Sequence, residues 1–201
     1  MKINIPKSIT HVVGIDEVGR GPLAGPVTIG AVCVSLAEFK KFPKRNYDSK
    51  VMNEKDREDL FGELKGLNYR ISSVSPQNID RDGIEKCLRL ATSRCLSRLN
   101  LEAKETLVLL DGRLKAPKNF IYQQTIVKGD SKVSLIGAAS IIAKVKRDAR
   151  MKKEAKKYPE YGFEDHKGYG TKKHIQAICK CGPSSIHRRS FLKKILGNLR
   201  K

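Results

Sequence analysis

The pattern of apolar and polar residues predicts a protein in which short strands are combined with longer helices. Runs of apolar residues, continuous or alternating with polar ones, are typical of β-strands. They occupy residues 12–16, 26–34, 69–75, 105–111 and 120–127. Apolar residues at every third or fourth position predict helices over residues 54–64, 82–99 and 134–158, with two shorter helical segments near the end. This order favours an α/β or α+β protein with one mixed sheet.

The helix predicted over residues 82–99 places two cysteines in the core. Its apolar stripe runs through Cys87 and Cys95, and free cysteine packs as a small apolar side chain. The chain has five cysteines, an odd number that does not suggest a disulfide framework. We therefore expect reduced thiols and a cytoplasmic protein.

Size and composition predict one domain of ordinary size with a small appendage, since the chain has 201 residues. The first ten residues lack the apolar stretch of a secretory signal. The longest apolar run, residues 135–143, is too short to span a bilayer. We expect no contact with a membrane.

The charge balance indicates a partner rich in phosphate. Lys and Arg number 41 against 21 Asp and Glu, which gives a net charge of +20. A polyanion would bind such a surface with release of counterions. Charge alone does not separate an enzyme from a ribosomal-type protein or another nucleic-acid-binding protein.

Three acidic residues lie at the ends of predicted strands or helices in a chain that is otherwise basic. Asp16 ends one apolar strand, Asp111 ends another, and Asp130 precedes the long helix. If the two strands are adjacent and parallel, Asp16 and Asp111 meet at one edge of the sheet, where Asp130 can join them. Glu17 should point away from Asp16 if the strand continues, so we expect it to reach the cluster only if the chain bends.

Clustered carboxylates repel one another unless a cation lies between them. Mg²⁺ and Mn²⁺ prefer oxygen ligands, and two such ions can promote in-line hydrolysis of a phosphodiester. Each acid taken alone could equally be a turn former or a helix cap, because Gly112 and Gly129 lie beside them. The set of acids therefore predicts a metal-dependent nuclease more strongly than any one of them does.

The loop after the first strand, GRGPLAG, offers backbone groups to a ligand. No Gly-Lys-Ser/Thr follows, so it is not a P-loop, and its glycine spacing does not match the dinucleotide fingerprint. Backbone groups in a Gly-Arg-Gly turn can approach a sugar hydroxyl, which distinguishes RNA from DNA.

Six sequence blocks in order resemble the bacterial ribonuclease HII family. They are GIDEVGRGPLAGPV, LLDGR, VKGDSKV, GAASIIAKVKRDARM, YGFEDHKGYGTKKH and IHRRSF. The resemblance implies a ribonuclease H-like fold, with a five-stranded mixed sheet flanked by helices and a small helical C-terminal segment. It divides the chain into a catalytic domain over residues 1–158 and a segment over residues 159–201 that completes the substrate groove.

The activity implied by the resemblance is endonucleolytic and depends on Mg²⁺ or Mn²⁺. Such an enzyme cuts the RNA strand of RNA–DNA hybrids and nicks duplex DNA 5′ of an embedded ribonucleotide, as in ribonucleotide excision repair. It leaves 3′-hydroxyl and 5′-phosphate ends. We expect a cytoplasmic monomer.

The resemblance also assigns roles to individual residues. The catalytic and metal-binding acids are Asp16, Glu17, Asp111 and Asp130, and the substrate-binding residues are Gly19, Arg20, Gly21, Ser49, Lys50 and Tyr169. The Gly-Arg-Gly loop would sense the ribose 2′-hydroxyl, and Tyr169 would pack on the next sugar. The block that carries Ser49 and Lys50, DSKVM, departs from the family's DSKKL, so a phosphate contact by Lys50 has less support.

Several residues allow a second interpretation. A zinc site is conceivable from the set His174, Cys179, Cys181 and His187, but its spacing lacks the usual knuckle, which favours ordinary packing. His166 and Lys167 could contact substrate or form a solvated turn. Asp148 is expected to pair with Lys144 or Arg147. At the level of the whole chain, the alternatives are a non-catalytic nucleic-acid binder and another nuclease or integrase of this fold.

Overall fold

The computed structural model describes residues 3–45, 47 and 52–197. Within them, one five-stranded mixed sheet has the order β3-β2-β1-β4-β5. β1 pairs antiparallel with β2 and parallel with β4, β2 pairs antiparallel with β3, and β4 pairs parallel with β5. The strands are β1 (His11–Val18), β2 (Val27–Ser35), β3 (Asn68–Val74), β4 (Thr106–Asp111) and β5 (Gln123–Ile126).

Helices cover both faces of the sheet and form most of the C-terminal part. They are α1 (Leu36–Lys41), α2 (Glu54–Leu64), α3 (Pro76–Asp82), α4 (Ile84–Leu99), α5 (Gly129–Lys132), α6 (Ser134–Lys157), α7 (Phe163–His166), α8 (Lys172–Cys181) and α9 (Lys193–Gly197). Short 3₁₀ turns occur at Ala103–Glu105, Pro159–Tyr161 and Arg189–Phe191. Among the described residues, no helix combines the length and the apolar character needed to cross a membrane.

The predicted strands and long helices are all present, and the differences concern short elements. Apolar periodicity did not identify α1, α3 or α5, because helices of four to seven residues contain too few turns to show it. Two of them carry local start signals instead. Ser35 and Glu38 form a capping box, and Ser75 caps α3 ahead of Pro76.

Two apolar layers enclose the sheet, one on each face. On one face α4 packs against the sheet, and its Cys87 and Cys95 are 1% and 0% exposed, which confirms their prediction as core residues. On the other face α6 forms the second layer. All five cysteines are free thiols, and burial raises the pKa of Cys95 to about 12.

The backbone of α6 lies directly against β1. A Cβ added to Gly14 would come within 2.5 Å of the carbonyl oxygen of Leu135, closer than any side chain permits. The start of α6 is made of small and apolar residues, so helix and strand can approach this closely. As a result, Ser140 on α6 faces Asp16, which lies two residues beyond Gly14 on the same face of the strand.

A third apolar cluster belongs to the C-terminal segment. It joins Ala24, in the loop after β1, to Met151 of α6 and to Phe163. An antiparallel bridge pairs Ala24 with His187. The segment therefore packs directly on the glycine-rich loop and on the second half of α6.

Two buried histidines connect α8 to the chain that follows it. The Nε2 atoms of His174 and His187 lie 3.0 Å apart. His187 Nδ1 accepts from the Ser184 N–H, and His174 Nδ1 contacts the Tyr169 carbonyl oxygen at 2.9 Å. This network is satisfied when both rings are neutral, with His187 donating to His174 and His174 donating to Tyr169. Burial lowers the pKa of both rings to about 4.

We expect acid to destabilise the protein through this pair. An unfolded histidine has a pKa near 6.5, so the unfolded chain binds more protons than the folded one between about pH 6.5 and about pH 4. The free energy of unfolding should therefore decrease as the pH falls through this range. Urea unfolding at a series of pH values measures it. His187→Gln should be less stable at neutral pH and show a shallower decrease, and equal slopes for both proteins would contradict this account.

Candidate active site

Two strand ends bring the first pair of acids together. β1 and β4 run parallel with Ile15 opposite Leu110, so the next residues, Asp16 and Asp111, lie side by side where the ladder ends. Gly14 and Leu109, two residues earlier on the same faces of their strands, lie against the α6 layer, and Asp16 is 3% exposed. The condition on which the sequence argument depended, that the two strands are adjacent and parallel, is therefore met, and the two aspartates lie at one edge of the sheet.

Glu17 joins this pair without a break in the strand. One carboxylate oxygen from each of Asp16, Glu17 and Asp111 lies within 4.8 Å of the other two. The expected bend is wrong, because β1 stays paired with β2 through Val18. Pairing with β4 ends one residue earlier than Asp16, which leaves that side of β1 open, and the longer glutamate side chain reaches the cluster there.

The electrostatics of this three-acid cluster favour a cation. Burial, together with the charges of Glu17 and Asp111, raises the pKa of Asp16 well above its ordinary value, although a hydrogen bond from Ser140 opposes the shift. Burial also raises the pKa of Glu17, against the effect of Arg20. Within the described part of the chain, Glu17 Oε2 is buried and lacks a hydrogen-bond partner. An all-oxygen donor set with an unused buried oxygen fits a hard divalent ion.

Asp130 lies next to the cluster but outside its 4.8 Å limit. The N–H of Gly129 donates to Asp111 Oδ1 at 2.6 Å, which fixes the start of α5 beside β4. Asp130 is 5% exposed, and its own Oδ1 accepts from the Ser131 N–H at 3.0 Å. A role for Asp130 as a fourth metal ligand stays a prediction.

The acids line a cleft of about 470 Å³. Its walls combine the acidic cluster with cations and the glycine-rich loop. The lining residues are Asp16, Glu17, Val18, Gly19, Arg20, Gly21, Arg57, Asp111, Ser140, Lys144 and Tyr169. The cleft therefore contains an acidic centre with a basic rim.

Arg20 is held by two carboxylates instead of reaching freely into the cleft. Its Nη1 donates to Glu17 Oε1 at 3.2 Å, and its Nη2 donates to Glu85 at the first turn of α4. The loop therefore presents its backbone groups to a ligand, because the Arg20 side chain is already bonded.

A buried arginine determines how that backbone is oriented. Arg188 is 0% exposed, and its three side-chain nitrogens donate to the carbonyl oxygens of Gly19, Arg20 and Gly25 at 2.6, 2.9 and 3.0 Å. In a trans peptide the N–H points opposite to the carbonyl. The N–H groups of Arg20 and Gly21 therefore point away from the buried Arg188, and both residues line the cleft. In the described part of the chain they donate to no protein acceptor.

A second buried guanidinium completes the support of the loop. Arg147 on α6 donates to the carbonyl oxygens of Pro26 and Ala24 at 3.0 and 3.3 Å. Burial lowers the pKa of Arg188 to about 9, with a further decrease from the charge of Arg147, so Arg188 still carries its proton at neutral pH. Gly19 has a φ of 84°, a backbone conformation that favours glycine.

Tyr169, in the C-terminal segment, lines the same cleft as the acids. Its side chain is 41% exposed, and its ring lies about 6 Å from both Lys144 Nζ and the guanidinium of Arg147. Its carbonyl is held by His174. Tyr169 and the glycine-rich loop line the same cleft, and the contact of the ring with a sugar stays a prediction.

Other predicted residues lie elsewhere. Ser49 and Lys50 are outside the described residues. The described side chains give no metal group of histidine and cysteine, because His174 and His187 bond to each other while Cys179 and Cys181 are exposed.

Three further residues of uncertain role are engaged within the protein. His166 uses both ring nitrogens, on the Tyr161 carbonyl and the Gly168 N–H. Lys167 is 8% exposed and donates to the Glu164 carbonyl. Asp148 pairs with Lys144 at 2.8 Å, as predicted.

The sequence did not predict the residues that orient the acids, line the cleft or support the loop by their packing in the folded protein. Ser140 and Lys144 lie on the predicted long helix, and a serine within an apolar helical run was the available signal for Ser140. Arg147 and Arg188 lie in two of the sequence blocks that resemble the family, but the local pattern does not predict that their side chains are buried.

Comparison with known proteins agrees with this geometry. A family model described as Ribonuclease HII matches residues 13–194. The ribonuclease HII of Endomicrobium trichonymphae is 48% identical over 187 residues, which cover 92% of this chain and 87% of that protein.

Solved structures show the same architecture. The crystal structure of the ribonuclease H2 from Pyrococcus horikoshii OT3 has a TM-score of 0.72 and 28% identity, covering 95% of this chain and 99% of that one. A chain of the PCNA–RNase HII complex from Archaeoglobus fulgidus has a TM-score of 0.73 and 25% identity, covering 94% and 97%. The chain studied here therefore belongs to the ribonuclease HII family and is a type 2 ribonuclease H, a hydrolase of the RNA strand in RNA–DNA hybrids.

Proposed function

We propose that this ribonuclease HII also nicks duplex DNA on the 5′ side of a single embedded ribonucleotide, and leaves 3′-hydroxyl and 5′-phosphate ends. The observation that carries the proposal is that one cleft contains both the three-acid cluster and two outward-pointing backbone N–H groups. A reactive phosphate and the adjoining ribose can then be held at the same time. Incubation with a labelled duplex carrying one ribonucleotide, with and without divalent metal, tests it.

Asp16, Glu17 and Asp111 would hold Mg²⁺ or Mn²⁺, with Asp130 as the predicted fourth ligand. Two such ions, when bound, would activate a water and stabilise the leaving 3′ oxygen. The protein contributes alignment: Ser140 orients Asp16, and the Gly129 N–H orients Asp111. Oriented ligands of this kind reduce the reorganisation needed when the substrate binds.

The glycine-rich loop supports recognition of a lone ribonucleotide. The N–H groups of Arg20 and Gly21 can hydrogen-bond a 2′-hydroxyl, which is the one feature that separates this nucleotide from its neighbours. The ring of Tyr169, on the other wall, can pack on the next sugar, where a 2′-hydroxyl would crowd it. Together they would select an RNA-to-DNA step and bring the phosphate 5′ of the ribonucleotide to the acids.

In this proposal the two predicted parts of the chain have separate roles. Residues 1–158 would supply the acids and the loop, and residues 159–201 would complete the groove through Tyr169 and support the loop through Arg188. We further propose that the protein acts as a cytoplasmic monomer on both substrates.

We expect Asp111→Asn to reduce cleavage of an RNA–DNA hybrid more than about 100-fold, because a ligand of the metal site is lost. Affinity for the hybrid without metal should stay equal or increase, since a negative charge near the phosphates is removed. Single-turnover cleavage and fluorescence anisotropy measure the two quantities. Glu102→Gln, an exposed change at the opposite end of β4, is the control and should cut normally. Near-normal cleavage by Asp111→Asn at saturating metal would refute the role of the cluster.

We expect Tyr169→Ala to impair nicking at a single ribonucleotide more than cleavage of a long hybrid, in which register matters less. Loss of a stacking contact corresponds to about 1–3 kcal/mol, or about 5- to 150-fold in kcat/KM. Paired kinetics on the two substrates measure it, and Tyr169→Phe, which keeps the ring, should stay close to wild type. Equal losses on both substrates would show that Tyr169 only packs against the segment.

We expect Arg188→Lys to decrease kcat/KM on the single-ribonucleotide duplex by about 10- to 100-fold. The single nitrogen of lysine cannot take the places of the three guanidinium nitrogens that bond the carbonyl oxygens, so the orientation of the loop N–H groups is no longer fixed. Binding of Mn²⁺ to the acids, measured by calorimetry, should not change. Thermal unfolding verifies that the variant is folded at the assay temperature. Loss of metal binding along with activity would indicate general damage and contradict a positioning role.

A further inference from the structure

Beside the cleft, three cations line a separate depression of about 160 Å³. They are Arg89 on α4 and Arg113 and Lys115 in the loop after β4, and all three are exposed. Glu85 also lines the depression. We propose that this depression is a phosphate subsite that takes a backbone phosphate of the nucleic-acid substrate close to the cleaved bond. The inference rests on the proposed function, because it extends the path of that substrate beyond the acids.

The cations are available for a ligand. Among the described residues, Arg89, Arg113 and Lys115 form no ion pair with a carboxylate. Glu85 lies four residues before Arg89 on α4, where an ion pair is ordinarily favourable, but its carboxylate is bonded to Arg20 instead. The Arg20–Glu85 pair therefore neutralises the one acid of the depression and leaves a net positive charge there.

The two segments that carry the cations are fixed in place. Leu88 and Leu114 form the floor and are 2% and 3% exposed, which anchors the loop against α4. The Leu114 N–H donates to the Asp111 carbonyl at 3.2 Å, and the Ala116 N–H donates to Gln123 Oε1 at 3.0 Å. Held in this way, the cations lose less conformational entropy on binding than cations of a mobile loop.

The depression lies next to the active site. Arg20 lines the cleft, and its partner Glu85 lines the depression. Arg113 is two residues from Asp111, so their Cα atoms are at most about 7.6 Å apart. A nucleic-acid strand rises about 3.4 Å per nucleotide along the axis. A phosphate held by Arg113 therefore belongs to a nucleotide within a few positions of the one held by the acids.

Arg89→Gln/Arg113→Gln tests the subsite, with binding to a short RNA–DNA hybrid measured in a chelator so that the hybrid stays intact. We expect weaker binding and a slope of log affinity against log salt that is smaller by about 0.9 for one lost phosphate contact. Arg94→Gln/Lys104→Gln removes the same charge from exposed positions farther along α4 and before β4, and should keep the wild-type slope.

A scan with single neutral methylphosphonates along each strand locates the contact. In the wild-type protein, one position near the cut site should weaken binding, and in the Arg89/Arg113 variant this effect should be absent. The same response at every position in both proteins would overturn the proposal. Saturable binding of inorganic phosphate by the wild type, lost in the variant without any change in the scan, would also overturn it in favour of a free-anion site.

Metal-dependent cleavage by the wild type separates this inference from the function on which it rests. If the wild type does not cut the single-ribonucleotide duplex, the proposed function fails whatever the scan gives. If it cuts normally and the scan shows no position whose effect depends on Arg89 and Arg113, the subsite alone is wrong.

Discussion

The parallel pairing of β1 with β4 is the constraint on which the site depends. Backbone hydrogen bonds hold Ile15 opposite Leu110, so the two following aspartates must meet at the end of the ladder. The close approach of α6 then buries one of them, and burial raises the pKa of Asp16. Charges gathered in this way are costly unless a cation is present. The fold thus creates, from strand pairing and the packing of α6, a place that a divalent ion would stabilise.

The glycine-rich loop depends on a different kind of interaction. A loop rich in glycine has little conformational preference of its own. Four of its carbonyls, and that of Pro26 directly after it, accept hydrogen bonds from two buried guanidiniums. The planar fork of arginine suits this task because its donors have a fixed geometry. Since Arg188 also belongs to the segment that carries Tyr169, the donors and the ring that line the two walls of the cleft are positioned by one packed unit.

The charge of the molecule is organised around these features. A net charge of +20 would bind any polyanion, whereas the centre of the cleft is acidic and would repel phosphate. Arg20, Arg57 and Lys144 surround the acids within the cleft, and more cations lie just outside it. This distribution favours binding of a phosphate backbone to the surrounding cations, and leaves the acids to bind metal and the reactive phosphate.

The sequence by itself determined the strands, the long helices and the strand-end acids, because apolar periodicity and strand length are local properties of β1, β4 and α6. The motifs it contains also identified the family. Only the tertiary structure decided that Glu17 reaches the acids from an unbent strand and that Asp130 lies outside the group formed by Asp16, Glu17 and Asp111. It also decided that Arg147 and Arg188 are buried supports of the loop. Whether a polar side chain is buried, and which group it bonds to, depends on residues as far as 169 positions away along the chain. The local sequence therefore does not predict either property.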